Sequence, residues 1–357
     1  MRKYRALLLL IIVAITMTSC GKNAAVTKES IRYSAEFAEY FDTYILFVAY
    51  AKSEEEFRQY VEIVQAQLGE MAQLCDIYNE YQGINNIYTI NSAAGKNAVK
   101  VDKRVIDLLL FSKKAYTDSL GTVNVAMGAV LSLWHDYREA GIFTPPSAEL
   151  PDINELKERE KLCNIEDMII DKDKSEVYLA HEGVSLDVGA VAKGFTAGLI
   201  AESLKAEGLG SFIINIGGDV LACGAPEDAE RDLWGVGINS PIEEGEGLYD
   251  AVFVNDAYVV TSGSYERFYV VGGKEYCHII NPETLMPADR FSSVTVISDT
   301  YGYGEILSTA LFILSVEEGK ALAEQYKAEA IWIYNDGSAV YTDGYCNISK
   351  NFSGEAK

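Results

Sequence analysis

Apolar residues recur along this chain in two rhythms. Phe41 to Tyr50 is a run rich in aromatic and β-branched residues, which predicts a strand. Beyond it, Phe57, Tyr60, Val61, Val64, Leu68 and Met71 fall at helical spacing and predict an amphipathic helix with one apolar stripe. Ser53 can cap that helix, and Glu56 can reach back to close a capping box. Asp102 is predicted to open a second helix carrying Val105, Ile106, Leu109 and Leu110. Residues 141–165 are rich in Pro and charge and read as a surface excursion. From Ile169 onward, strands are predicted at 176–180, 211–216, near 233–238, 250–260 and 291–298. Helices are predicted at 191–207 and within 304–326, and a hairpin over 328–342 turns at Asn335-Asp336-Gly337. Mixed elements with adjacent strands predict an α+β fold of mixed sheets and packed helices. No fixed short-period repeat interrupts the pattern.

The first twenty residues read as an address. Arg2, Lys3 and Arg5 precede an apolar run, Ala6 to Ile15, and a small-residue stretch that ends at Cys20. A spanning helix needs ~20 apolar residues, so this run fits a signal-peptide core instead. Cys20, followed by Gly21, stands where a lipoprotein signal peptidase would cut, and the expectation is lipid attachment there. Two acyl chains plus an amide-linked third make a stable anchor. That places the protein on the extracytoplasmic side of a bacterial cell membrane; a plain secretory peptide with an incidental Cys20 remains the other reading. Residues 21–38 are polar and read as a tether, with a folded domain over 39–345.

Charge narrows the list of partners. The chain carries 30 basic and 53 acidic residues, a formal charge of −23. Nucleic acid is excluded as a partner, because neutralising phosphates needs clustered Lys and Arg. A polyanionic ligand would require a local remedy, either a metal ion or a nest of backbone N–H groups. The apolar fraction of 49% is enough for a real core. None of the six cysteines forms a CxxC pair, which argues against zinc ribbons and thioredoxin-type chemistry.

Four segments could carry chemistry. SLDVGAVAKGF, 185–195, reads as strand, small-residue turn and helix, with Lys193 at the helix start. Such a helix start offers free N–H groups and a positive dipole to an anion, although small residues there can also mean tight packing. NIGGD, 215–219, allows a sharp bend at Gly217-Gly218, with Asp219 open to reading as a solvated cap. TSGSYERF, 261–268, precedes CHIINPETLMP, 277–287, where His278 is one of three histidines and a candidate general base, or a structural residue. In GEILSTALFIL, 304–314, Glu305 and Thr309 lie four apart on one helix face. A carboxylate and a hydroxyl suit Mg²⁺, although Glu305 could simply satisfy the helix dipole.

The series LDVGAVAKG, NIGGD, TSGSYERF, HIINP and E-x-x-x-T-A-L resembles the ApbE family of FAD:protein FMN transferases, whose typical series is LDLGGIAKG, NIGGD, TSGxYER, HIIDPxTG and DAxxTAL. FDTYI near the start and GTVNVAMG at 121–128 resemble that family's opening strand and its GAFDPTVG. The resemblance implies an ApbE-like, T-fold-like α+β domain of two intimately associated subdomains over 39–345. It further implies FAD as substrate, contacted by Phe41, Tyr78, Thr122, Val123, Asn124, Asp187, Lys193 and His278. Mg²⁺ would sit between the Ala190 carbonyl, Glu305 and Thr309. The implied reaction moves FMN from FAD to a Thr or Ser hydroxyl, releasing AMP. Its acceptor would be a protein with a flavinylation motif, such as an electron-transfer subunit or a surface flavoprotein. Glu305 and Asn281 stand where the family has Asp, and Asn124, Ala126 and Met127 dilute the flavin-side motif. Two rival readings stay open: a Mg²⁺-dependent FAD pyrophosphatase giving FMN and AMP, and a non-catalytic FAD-binding lipoprotein.

Overall fold

A computed structural model of the protein describes residues 30–228, 230–242 and 247–353. The expected signal peptide and Cys20 lie outside these residues. The expected tether is corrected from Ile31 on, because Ile31–Tyr40 is an edge strand. Tyr33, Ala35 and Phe37 are buried on one face of it, a period-two alternation easily lost among the polar residues between them.

Eight strands form one antiparallel sheet whose spatial order follows the chain. They are Ile31–Tyr40, Thr43–Ala51, Phe212–Ile216, Asp219–Cys223, Ala257–Gly263, Ser293–Ser298, Glu329–Ile333 and Ala339–Tyr341. Long insertions between them carry everything else, so the fold is α+β, as the pattern predicts. Helices α1 (Glu54–Cys75), α2 (Ile87–Ser92), α3 (Lys103–Asp118), α4 (Gly128–Phe143), α5 (Ile153–Glu160) and α6 (Ala192–Ala206) fall between the second and third strands. Helices α7 (Tyr303–Ile313) and α8 (Val316–Gln325) fall between the sixth and seventh.

Alternating side chains bury both faces of the sheet. Phe47, Phe212 and Ile214 pack with Phe57, Val64 and Leu68 of α1 and Ile200 and Leu204 of α6. On the other face Val48, Val220, Val259 and Ile331 meet the Trp234–Asn239 and Leu248–Val254 hairpin. Burial on both sides explains why Ser293–Ser298 is buried throughout and shows no alternation. The strand predicted over 250–260 is divided at Asn255-Asp256, where Asp256 turns the chain with φ 47.

The helix signals are met with local adjustments. The Ser53 hydroxyl accepts from the Glu56 N–H at 3.2 Å, while the Glu56 carboxylate accepts from the Lys52 N–H at 2.6 Å. Asp102 caps α3, but Leu110 turns outward and Leu108 takes the buried place. Within 141–165, α5 buries Leu156 alone. The cysteines at 75, 163, 223, 277 and 346 are all free. Among the described residues, no helix is long and apolar enough to cross a membrane.

Two tight turns sit side by side at one end of the sheet, because Thr43–Ala51 pairs with Phe212–Ile216. One is Phe41-Asp42, with φ 55 and 50; the other is Gly217-Gly218, with φ 62 and 93. A Cβ on Gly217 would lie 2.4 Å from the Thr43 hydroxyl oxygen, so the close approach of the two turns requires glycine there.

Candidate active site

A cleft of about 340 Å³ opens beside these turns. Phe41, Tyr78, Thr122, Val123, Asn124, Asp187, Ala190, Lys193, His278, Glu305 and Thr309 all line it. Residues singled out from separate motifs therefore meet in one place. Phe41 reaches it from a turn with positive φ, an unusual conformation for a bulky residue. Tyr78 is 60% exposed at the mouth, its ring 5.5 Å from that of His135.

The inner end of the cleft holds a buried charge cluster. Lys193 Nζ lies 2.5 Å from an Asp219 carboxylate oxygen and 3.8 Å from Glu305 Oε1. Asp219 is 2% exposed and Glu305 4%, so neither is a solvated surface acid. The solvated-cap reading of Asp219 is thereby replaced: it is the principal partner of Lys193. Glu305 Oε2 accepts from the Gly194 N–H at 2.8 Å. Helices α6 and α7 have no side-chain cap of their own, so a carboxylate of α7 closes the first turn of α6. Burial works to lower the Lys193 pKa, but Asp219 and Glu305 outweigh it and raise the value. Burial lifts the Asp219 and Glu305 carboxyls above their usual range, against the opposing pull of Lys193. One ammonium faces two buried carboxylates, which leaves the cluster short of positive charge.

That shortage bears on the expected metal. Among the described residues, no group of three or more His, Cys, Asp and Glu side chains is placed to hold a metal ion. The expected donors are of another kind: the Ala190 carbonyl, the Glu305 carboxylate and the Thr309 hydroxyl, all on the cleft wall. Three hard oxygens with a substrate phosphate to complete them fit Mg²⁺, which takes few protein ligands. A divalent cation would also meet the charge that Lys193 leaves uncompensated. The residues fit the ion.

His278 also lines the cleft. Its Nδ1 is 3.2 Å from the Arg267 carbonyl oxygen, which can only accept, so Nδ1 carries the proton and Nε2 keeps a lone pair. Burial and the Arg267 guanidinium push its pKa down to about 4. The ring is therefore neutral at physiological pH. Asn281 does not partner it: its side-chain oxygen accepts from the Glu283 N–H at 2.8 Å and serves the turn. Asp187 accepts from the Gly189 N–H at 2.8 Å, and burial raises its pKa against the attraction of His135, Arg267 and Arg138.

The cleft-lining loop around Thr122 and Asn124 is internally braced. Asn124 donates to the Cys163 carbonyl at 2.8 Å and accepts from the Ala126 N–H at 2.9 Å. Thr122 donates to the Ser119 carbonyl at 2.7 Å. These side-chain bonds hold the loop that carries both residues to the cleft wall. His135, Arg138 and Arg267 were not singled out as site residues. For His135 and Arg138 the signal lies in the helical spacing of Met127, Leu131, His135 and Arg138, cleft-lining residues that bring charge onto an apolar face, and Arg267 stands within the TSGSYERF segment.

Known proteins share sequence and fold with this chain. The FAD:protein FMN transferase of Klebsiella pneumoniae is 31% identical over 275 residues, covering 75% of this chain and 82% of that protein. That of Treponema pallidum is 34% identical over 260 residues, covering 69% of this chain and 70% of that protein. The crystal structure of the ApbE protein from Thermotoga maritima shares the fold with a TM-score of 0.77 at 21% identity, over 89% of this chain and 99% of that one. The flavin transferase ApbE from Vibrio cholerae does so with a TM-score of 0.74 at 19% identity and the same coverage. Residues 40–332 match the ApbE family, and the chain belongs to that family.

Proposed function

We infer that the protein is an FAD:protein FMN transferase, moving the FMN half of FAD to a Thr or Ser hydroxyl of an acceptor protein and releasing AMP. The observation that carries this reading is the meeting, in one cleft of an ApbE-family chain, of a buried Lys193–Asp219–Glu305 cluster and a neutral His278. Lys193 stands in the first turn of α6, where the positive end of the helix favours the pyrophosphate of FAD. Phe41 and Tyr78 offer aromatic faces on the cleft wall for the flavin. The acceptor oxygen bonds to the FMN phosphorus while the bond from that phosphorus to the AMP phosphate oxygen breaks, and AMP leaves with the electron pair. His278 Nε2 takes the hydroxyl proton. Mg²⁺ held by the Ala190 carbonyl, Glu305 and Thr309 would supply positive charge to the pyrophosphate oxygens.

The acceptor is a protein bearing a Ser or Thr motif, an electron-transfer subunit or surface flavoprotein. A lipid on Cys20 would hold the enzyme at the extracytoplasmic face of the bacterial membrane, beside such partners. Incubating the purified protein with FAD, Mg²⁺ and a candidate acceptor tests the reaction by mass spectrometry. An FMN adduct on a Thr or Ser of the acceptor supports transfer. Free FMN and AMP would mean a pyrophosphatase, and intact FAD a binding protein. A Cys20→Ala variant that still fractionates with membranes would refute the anchor.

A further inference from the structure

The Tyr258 side chain runs beneath the buried charge cluster. Tyr258 belongs to the Ala257–Gly263 strand, is 1% exposed, and its hydroxyl has no hydrogen-bond partner among the described residues. Two glycines make room for it. A Cβ on Gly304 would lie 2.7 Å from the Tyr258 ring, and one on Gly194 would lie 3.2 Å from its hydroxyl oxygen. The same point above Gly194 is 3.0 Å from Glu305 Oε2. The hydroxyl thus ends where the first turns of α6 and α7 converge on the Glu305 carboxylate. A buried hydroxyl without a partner is destabilising, and a tyrosine placed for packing alone would be served as well by phenylalanine.

We propose that Tyr258 is a positioning residue of the cation site, whose hydroxyl, unpartnered in this structure, donates to the Glu305 carboxylate when a divalent cation binds and holds it in the orientation the cation requires. The proposal rests on the reading of Glu305 as a metal ligand. The chemistry supports a donor role. A tyrosine phenol carries its proton at neutral pH, so the hydroxyl can give a hydrogen bond. Lys193 is committed to Asp219 at 2.5 Å and stands farther from Glu305, at 3.8 Å. The Gly194 N–H reaches only Oε2. A second donor from below would fix the carboxylate against rotation without competing for the face turned to the cleft. Groups that orient metal ligands in this way typically contribute about 10–100-fold to metal affinity.

The test is Mg²⁺ titration by calorimetry of the FAD-loaded full chain, wild type against Tyr258→Phe, with thermal unfolding of both measured in EDTA. The expected result is a Mg²⁺ Kd raised about tenfold, with Tm unchanged or higher and FAD affinity without metal unchanged. Equal Mg²⁺ affinity in the two proteins overturns the proposal. A weaker Kd accompanied by a lower Tm or lost FAD binding assigns Tyr258 to packing and overturns it as well. If wild type and Glu305→Ala both fail to bind Mg²⁺, the metal reading itself falls, a failure distinct from equal affinity in wild type and Tyr258→Phe.

Discussion

The Glu305 carboxylate on α7 accepts a 2.8 Å hydrogen bond from the Gly194 N–H in the first turn of α6. One side chain therefore serves two ends, bracing the start of a neighbouring helix and turning its other oxygen toward Lys193. The two duties separate by substitution. Glu305→Gln keeps an acceptor for Gly194 and removes a buried charge, so stability in EDTA should stay at or above the wild-type level. Its Mg²⁺-dependent turnover should be lost. Glu305→Ala should lose turnover and also about 0.5–2 kcal/mol of stability through the missing cap. Thr309→Ala should lose turnover with little change in stability. Denaturant unfolding and an FMN-transfer assay check the set; normal turnover in both alanine variants sinks the metal assignment.

His278 gives a prediction with a definite pH sense. Its pKa lies near 4 in the folded protein, below the value of an unfolded histidine, so the unfolded chain binds the extra proton first as pH falls. The stability this group contributes is present above about pH 6.5 and is lost as pH falls toward 4. For the same reason, kcat/KM should show no acid limb centred near 6.5, because Nε2 is already unprotonated. An NMR titration of the ring and a pH–rate profile from 5 to 8 check both. His278→Ala should lower transfer about 10²–10⁴-fold while FAD still binds. Unimpaired transfer would remove the base assignment.

The turn glycines separate steric need from conformational need. Gly218 has φ 93 but open space around a Cβ, whereas Gly217 has φ 62 and the Thr43 hydroxyl 2.4 Å away. Gly218→Ala should cost about 1 kcal/mol, the left-handed penalty alone. Gly217→Ala should cost more, and Thr43→Ala in the same chain should recover part of the difference. Urea denaturation of the three variants decides it; equal losses at 217 and 218 would mean that Thr43 gives way freely.

What the sequence disclosed follows from which forces are local. The stripe from Phe57 to Met71 and the Ser53 cap depend on near neighbours, and both appear as the pattern predicts. The Ile31–Tyr40 strand was hidden because its alternation is carried by three residues set among polar ones. The site shows the same division. Lys193, His278 and Glu305 stood out as charge or imidazole within ordered motifs. Asp219 was ambiguous, since its burial depends on a lysine 26 positions earlier reaching it across the fold. Tyr258 gave no signal at all: a tyrosine in an apolar strand reads as core, and only the glycines at 194 and 304 reveal where its hydroxyl ends.

Among the described residues, Lys193 is the one side-chain cation paired with the two buried carboxylates, and removing its charge should be felt in folding as well as binding. Lys193→Met keeps much of the aliphatic stem but leaves Asp219 uncompensated, and breaking a buried pair in this way costs about 3–5 kcal/mol. The loss should depend on pH. Asp219 and Glu305 already hold their protons above the usual carboxylate range, and without the ammonium that tendency increases. The folded variant then binds more protons than the unfolded chain, so its stability should fall as pH rises above about 4. The deficit against wild type should accordingly be larger at pH 8 than at pH 5. Asp219→Asn added to Lys193→Met should restore stability, since the buried anion is gone, but FAD affinity should stay weak because the pyrophosphate still lacks its lysine. Unfolding at the two pH values, with flavin fluorescence for binding, checks each step. Recovery of FAD affinity in the double variant would show that Lys193 holds Asp219 in place and does not meet the substrate.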